Sequence, residues 1–301
     1  MSSVASDALR LVERELNELS KPGASFDRNS VLATYRPDKP VSSDRIRFQR
    51  RLIDEFLSED GDEIEKGAEF AVLITAGPPG AGKSTRIDEF NLVEKGWRKI
   101  DADRIKLKLL AEARNSGRFD PQMSTLLADG YPVMLNELSS LVHNESVFLA
   151  DQIMTRCLEA GENIVIEGTL SWEGRGPYLL EALELHDYRK VVILDVEVEL
   201  ATALEQAYTR WAQGRNATIE GRSTEGGRFT PSAAIASMYQ GGKAISCCNR
   251  NAVDFFTDEK AASFDDIKLV VAVNDSEATV QEYQRILGEY ATPEPTYLSD
   301  R

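Results

Sequence analysis

Cysteine is scarce in this chain: Cys157, Cys247 and Cys248 are the three among 301 residues. Their spacing matches no cysteine-ligated metal site, and adjacent cysteines rarely bridge each other. The pattern excludes a secreted scaffold held together by disulfides and favours a reducing compartment. We therefore expect structural thiols in a cytoplasmic protein.

Positive charge and long apolar runs are also lacking. The chain has 35 basic against 50 acidic residues, a formal charge of -15. The average field of such a chain repels polyanions, so we expect neither a nucleic-acid nor a membrane partner. No segment approaches the length of a membrane span, and Asp7 and Glu13 interrupt the apolar stretch that a secretory signal needs. A cytoplasmic location follows as the expectation.

A complete phosphate-binding motif is present at residues 77–84, which read G-P-P-G-A-G-K-S and follow an apolar run at 70–76. Glycines allow backbone N–H groups to turn around phosphate oxygens, and the next helix adds its N-terminus. We expect Lys83 to reach the β- and γ-phosphates of ATP and Ser84 to bind Mg²⁺. The predicted nucleotide site consists of Gly77, Pro78, Pro79, Gly80, Ala81, Gly82, Lys83, Ser84 and Thr85.

Short apolar runs alternate with longer helical stretches after residue 70. The runs are 70–76, 98–102, 163–167, 190–196 and 268–273. This alternation predicts an α/β fold, a three-layer parallel sheet of P-loop kinase type with helices on both faces. Two amphipathic helices precede it. We expect an N-terminal helical segment at 1–69, a kinase domain at 70–290 with a lid around 205–231, and a flexible tail at 291–301.

Polar residues follow the second and third apolar runs. Asp101 and Asp103 end the second, and Glu167 and Thr169 end the third. Functional groups of such sheets gather at the carboxyl ends of strands, which places these side chains near the bound phosphates. Asp103 suits the role of a general base on an acceptor hydroxyl, although either aspartate could instead cap the following helix. Glu167 and Thr169 are candidates for acceptor binding.

The phosphate loop, the I-D-A-D end at residues 100–103 and the I-E-G-T end at residues 166–169 together resemble the zeta toxin family of bacterial phosphotransferases. The resemblance covers roughly residues 43–275. It implies a kinase that uses ATP and Mg²⁺ to phosphorylate a hydroxyl of UDP-N-acetylglucosamine. Asp103 would then be the base, Glu167 and Thr169 would contact the sugar, and Asp151 falls where the family has an acidic sugar contact.

The same resemblance implies two arginines around the γ-phosphate. Arg210 and Arg228 match these positions, with Arg228 preceding a Phe-Thr-Pro sequence. Arg215 and Arg222 lie between them, and the choice between Arg222 and Arg228 stays open. The family also implies a small helical antitoxin protein as partner, while the N-terminal helices could inhibit in cis or simply pack.

Four alternatives remain at this point, three for the acceptor and one of another functional class. Residues 106–131 form a longer segment than the family leads us to expect, with N-S-G-R-F-D-P at 115–121, so the acceptor could be another nucleotide, a dinucleotide such as NAD, or a polynucleotide end. The net charge disfavours the polynucleotide. In another class of function, the chain would be an ATP-dependent switch or binding module.

Overall fold

The computed structural model describes residues 3–59, 63–64, 66–67, 69–239, 244–274 and 278–298. The chain divides into two compact units, each built from three separate segments. We call them the helical unit, residues 1–52, 102–150 and 204–234, and the sheet unit, residues 53–101, 151–203 and 235–301. The predicted boundaries at 69/70 and 290/291 stay predictions.

The elements follow in chain order. The helices are α1 Ser3–Leu19, α2 Ser43–Ser58, α3 Lys83–Glu89, α4 Ala102–Asn115, α5 Asp120–Met123, α6 His143–Glu159, α7 Arg175–Leu185, α8 Leu200–Ile219, α9 Ser232–Ala236 and α10 Cys247–Thr257, with 3-10 helices at Leu135–Val142 and Lys260–Ser263. The strands are β1 Ala71–Ala76, β2 Arg98–Asp101, β3 Ile164–Glu167, β4 Lys190–Glu197, β5 Asp266–Val273, β6 Thr279–Ile286 and β7 Glu289–Tyr290.

The strands form one sheet in the order β2-β3-β1-β4-β5-β6-β7. The first five are parallel, and Leu73 at the centre pairs with Val165 on one side and Val192 on the other. All six residues of β1 are buried, as a central parallel strand covered on both faces requires. The predicted α/β fold and its five strands are confirmed.

Two antiparallel strands extend the sheet beyond β5, and the sequence analysis missed them. β6 reads T-V-Q-E-Y-Q-R-I, in which only Arg285 is buried. β6 is covered on its outer side only by the two-residue strand β7, so it faces solvent over much of its surface and lacks the apolar run by which other strands were identified. Arg285 instead donates to the carbonyl of Phe256 at 3.0 Å, linking β6 to the end of α10.

A buried arginine joins α2 to the sheet. Arg98, the first residue of β2, donates to the Glu162 carboxylate at 2.5 Å and to the carbonyls of Glu59 and Phe56. The last carbonyls of a helix have no partner within it, so a cation there satisfies them and complements the helix dipole. The C-terminal part of α2 is thereby fixed within the sheet unit.

No helix of the described residues combines the length and apolarity needed to cross a membrane. The three thiols are free, with Cys157 and Cys248 buried.

Candidate active site

The phosphate loop connects β1, which ends at Ala76, to α3, which begins at Lys83. Gly77 has φ of 117°, and a Cβ at this position would lie 2.0 Å from the carbonyl oxygen of Val196. Gly82 adopts a left-handed conformation immediately before the helix. A side chain is sterically excluded at Gly77 and strained at Gly82, so this loop geometry depends on glycine.

Lys83 folds over the loop. Its ammonium group donates to the carbonyls of Gly77 and Pro78, both at 2.9 Å. Ser84 and Thr85 follow in the first turn of α3 with exposed side chains. No cluster of acidic, histidine or cysteine ligands for a metal occurs among the described residues. A hydroxyl beside nucleotide phosphates fits Mg²⁺, which usually takes few protein ligands and completes its shell with phosphate and water oxygens.

Asn274, directly after β5, links the phosphate loop to helix α3 through hydrogen bonds. Its amide nitrogen donates to the carbonyl of Ala81 at 2.8 Å, and its amide oxygen accepts from Arg86 at 2.9 Å. This residue was missed by the sequence analysis. The only available signal was its place after the fifth strand, since Asn carries no motif of its own.

The strand end at 167–169 is joined to the phosphate loop within the sheet unit. The Gly77 N–H donates to the carbonyl of Thr169 at 3.0 Å. The Thr75 hydroxyl both donates to the carbonyl and accepts from the N–H of Gly168, each at 2.9 Å. The Thr169 hydroxyl lies 2.9 Å from that of Ser171. The structure thus brings together the two motifs that the sequence singled out.

Two predicted acceptor contacts are held by cations. The Glu167 carboxylate lies 2.6 Å from the ammonium of Lys99 on the neighbouring strand β2, and its side chain is 15% exposed. Asp151 lies 2.6 Å from a guanidinium nitrogen of Arg175, at the start of α7. Each carboxylate is therefore held in one orientation by its cation. Lys99 and Arg175 also place positive charge beside the carboxylates, which favours the binding of an anionic ligand.

Asp103 lies in the first turn of α4, in the helical unit, with a half-exposed side chain. One carboxylate oxygen is bound by Arg228, and the other accepts from Lys106 at 3.0 Å. Arg228 is held by its neighbours: Phe229 is buried against Trp211, with ring centroids 5.8 Å apart. The structure brings the predicted base and one predicted arginine into direct contact.

The other arginines of the region 205–231 differ in their surroundings. Arg210 is exposed on α8 and makes no ion pair among the described residues. Arg215 is fully buried and binds Glu137 at 2.8 Å and Asp129 at 2.7 Å, so it holds the helical unit together. Arg222 is exposed and pairs with Glu220, two residues away. Among these, Arg228 alone contacts the candidate base.

A buried carboxyl pair lies on β4. Asp195 and Glu197 are both 0% exposed, and Oδ1 of Asp195 has no hydrogen-bond partner among the described residues. Asn249 donates to Asp195 at 2.8 Å, and the Ser246 hydroxyl donates to Glu197 at 2.7 Å. Burial, followed by the charge of Asp195, raises the pKa of Glu197 to about 9. Burial also raises the pKa of Asp195, against the opposing charge of Lys83. The pair therefore retains a proton near neutral pH.

Trp172 and His143 lie in contrasting surroundings. The Trp172 side chain is 67% exposed and does not pack in the core. Burial, with the nearby cations Lys106 and Arg28, lowers the pKa of the His143 imidazole to about 3. It is neutral at physiological pH.

The sequence pattern of the family described as Zeta toxin matches residues 58–269. A curated relative, the calmodulin calcium-dependent NAD kinase of Arabidopsis thaliana, is 29% identical over 114 residues. That match covers 38% of this chain and 20% of the relative, so the chain spans about a fifth of that protein's length.

Two solved structures share the fold. The AvrRxo1-ORF1:-ORF2 complex with ATP matches with a TM-score of 0.50 and 19% identity, covering 84% of this chain and 70% of that chain. The PezAT chromosomal toxin-antitoxin system of Streptococcus pneumoniae matches with a TM-score of 0.50 and 13% identity, covering 88% and 87%. With a family match over more than half of its length, the chain belongs to the zeta toxin family and is a phosphotransferase of the P-loop kinase type.

Proposed function

We propose that this chain transfers the γ-phosphoryl group of ATP to a hydroxyl of a UDP-amino sugar, UDP-N-acetylglucosamine. The observation that supports it best is the hydrogen bond between the Gly77 N–H and the Thr169 carbonyl at 3.0 Å. It ties the loop that would bind the transferred phosphate to the segment that would bind the acceptor. Catalysis of phosphoryl transfer is mostly positioning and charge stabilisation, which such a shared framework favours.

The proposed roles follow the chemistry of each group. Lys83 stabilises the phosphate charge that develops during transfer, and the Ser84 hydroxyl holds Mg²⁺, which neutralises phosphate oxygens. Asp103 accepts the proton of the attacking hydroxyl. Arg210 and Arg228 supply positive charge to the transferred group.

The acceptor would be held by Glu167, Thr169 and Asp151. The fixed carboxylates of Glu167 and Asp151 would accept hydrogen bonds from sugar hydroxyls, while their partners Lys99 and Arg175 favour binding of a diphosphate-linked ligand. Thr169 would orient the hydroxyl that reacts.

A mass-spectrometric assay tests the proposal. The protein is incubated with ATP, Mg²⁺ and a panel of UDP-N-acetylglucosamine, other UDP-sugars and NAD, and each panel member is examined for the gain of one phosphoryl group. The proposal requires phosphorylated UDP-N-acetylglucosamine with wild type and none with Asp103→Asn. Consumption of ATP without any phosphorylated product would instead favour an ATP-dependent switch.

A second acceptor, NAD, has one specific observation in its favour. The curated relative that matches over 114 residues is described as an NAD kinase. NAD and UDP-N-acetylglucosamine both present sugar hydroxyls next to a diphosphate, so the same groups could serve either acceptor. Phosphorylated NAD in the panel, with unmodified UDP-sugars, would retain the kinase and replace the acceptor.

We also propose a helical antitoxin protein as inhibitory partner. The proposal is supported by the likeness to a structure described as a toxin-antitoxin system. Copurification from the native host, with recovery of phosphotransfer after the partner is removed, tests it. Full phosphotransfer activity while the copurifying proteins are still bound to the chain would contradict it.

A further inference from the structure

The helical unit contains a cavity of about 510 Å³ that none of the roles above uses. Its walls come from the loop between α1 and α2, the first turns of α2, and the end of α4 with the segment that follows. The lining residues used below are Tyr35, Arg36, Lys39, Arg45, Phe48 and Arg118. The volume falls within the range of small-molecule sites, roughly 300–1,000 Å³.

The lining of this cavity carries net positive charge, opposite in sign to the net charge of the whole chain. Its lining includes the cations Arg36, Lys39, Arg45 and Arg118, whereas its acidic residues are Asp44 and Glu112. Both acids already have cationic partners: Glu112 binds Arg45 at 2.5 Å, and Asp44 binds Arg47. Positive charge therefore remains on the wall of a chain whose formal charge is -15.

Two guanidinium groups carry that remaining charge. Neither Arg36 nor Arg118 makes an ion pair among the described residues of the chain. Arg118 uses one nitrogen to donate to the carbonyl of Ala33 at 3.1 Å, which leaves its other donors available. Lys39 lies at the rim and pairs only with the exposed Asp38, a contact of little energetic value.

The wall is fixed in place by buried contacts. Arg45 binds the fully buried Glu145 through two nitrogens, each at 2.7 Å, and Gln49 donates to the same carboxylate at 2.8 Å. The Tyr35 ring stacks on Phe148 with centroids 5.0 Å apart. A wall held in this way loses little conformational entropy when a ligand binds.

We propose that this cavity is a second anion site, which binds the diphosphate group of a small molecule. Guanidinium groups bind phosphate oxygens through paired, charge-assisted hydrogen bonds, and the lining residues Arg36 and Arg118 supply two such groups. The rings of Tyr35 and Phe48 add apolar surface of the kind that a nucleoside or another ring system contacts. The segment 115–121, at the end of α4, contributes Arg118 to the site. The proposal does not depend on the acceptor of phosphoryl transfer.

Calorimetric titration of the full chain tests this site in a Lys83→Ala background, which weakens binding at the phosphate loop. The probes are inorganic pyrophosphate and ADP. We expect saturable binding of both that falls at least tenfold on Arg36→Ala and on Arg118→Ala, and that is unchanged on Arg51→Ala, an exposed arginine of α2 that does not line the cavity. ADP binding more tightly than pyrophosphate would identify a nucleotide as the ligand; equal binding would identify the diphosphate group alone.

Two results would overturn the proposal. One is the absence of saturable binding of either probe in the Lys83→Ala background. The other is binding that is the same in the Arg36→Ala, Arg118→Ala and Arg51→Ala variants. Because Arg118 also bonds to the loop backbone, thermal melting accompanies each titration, and Arg36→Ala, which removes no such bond, decides the test if Arg118→Ala fails to fold. Loss of phosphoryl transfer in Lys83→Ala has no bearing on either result.

Discussion

Arg228 binds one carboxylate oxygen of Asp103, while Lys106 holds the other at 3.0 Å. A carboxylate neutralised by two cations is a weak proton acceptor. If Asp103 is the base, Arg228 must exchange its carboxylate for the phosphoryl group before transfer occurs. The ion pair would then prevent Asp103 from accepting a proton until a γ-phosphate competes for Arg228.

Replacing Asp103 tests the base assignment. Asp103→Asn keeps the size of the side chain but cannot accept a proton, so phosphoryl transfer should fall by about 10²–10⁴-fold. ATP binding, measured by calorimetry, should stay near the wild-type value. Asp101→Asn is the matched control, because Asp101 is an aspartate two residues earlier at the end of β2. Equal losses in both variants would remove the special role of Asp103.

Replacing Arg228 decides between the two arginines that the sequence left open. Arg228→Gln should lower kcat by about 10²–10³-fold, the range for losing one fixed donor to a developing charge. Arg222→Gln should leave kcat unchanged, since Arg222 is exposed and pairs locally with Glu220. Steady-state kinetics with the acceptor found in the panel measures both. The opposite ranking would assign the role to Arg222.

Replacing Gly77 tests the steric basis of the phosphate loop. Gly77→Ala places a Cβ 2.0 Å from the Val196 carbonyl oxygen, at a φ of 117°. We expect a loss of about 3 kcal/mol in the free energy of unfolding, from left-handed strain and overpacking together, and loss of ATP binding. Gly168→Ala is the control, because nothing lies within 4 Å of a Cβ there. Denaturant unfolding compares them.

The carboxyl pair predicts a pH dependence of stability. The pKa of Glu197 is raised from 4.5 to about 9, so the folded chain holds a proton that the unfolded chain releases between these values. The free energy of unfolding should therefore fall as pH rises from 4.5 toward 9. Glu197→Gln removes this titration and should flatten the decline, whereas Glu173→Gln, at an exposed glutamate, should not. Parallel curves for all three proteins would contradict the assignment.

The buried ion pair of Arg215 predicts that its replacement lowers the stability of the chain. It is 0% exposed and pairs with Glu137, which is also 0% exposed. Arg215→Met should destabilise the chain by about 3–5 kcal/mol, because it leaves a buried carboxylate without its cation. Arg222→Met should change stability by less than about 0.5 kcal/mol. Thermal melting distinguishes a structural arginine from one that only contacts phosphate: Arg215→Met melting like wild type would contradict the structural role.

The sequence predicted the parts of this fold that follow strong local patterns. Four of the five parallel strands, β1, β3, β4 and β5, are rich in apolar residues, and the phosphate loop has a fixed glycine spacing, so these parts were recognisable without the structure. β6 was missed because its exposed face carries polar residues. Asn274 was missed because its importance arises from hydrogen bonds to Arg86 and Ala81, 188 and 193 positions earlier, which no local pattern encodes.

Part of the candidate site could also be predicted, because some of its residues belong to local sequence motifs. Lys83 and Thr169 belong to motifs at strand ends, where chemistry is expected in parallel sheets. The partners Lys99, Lys106 and Arg175 were not foreseen, since ion pairing depends on side-chain geometry. Arg215 illustrates the limit clearly: by sequence it resembles Arg210 and Arg222, and only its burial beside Glu137 separates it from them.

Each of the two compact units is assembled from three stretches of chain that alternate along the sequence. No single cut can therefore release either unit as a fragment, and a library of truncations would yield incomplete pieces of both. During synthesis on the ribosome, the helical unit cannot be completed before residue 234 has been made. The sheet unit cannot be completed before the strands that follow residue 234 have been made. Contacts of such long sequence separation slow folding. A phosphotransferase built this way has no completed sheet until its last three strands, at residues 266–290, have been made.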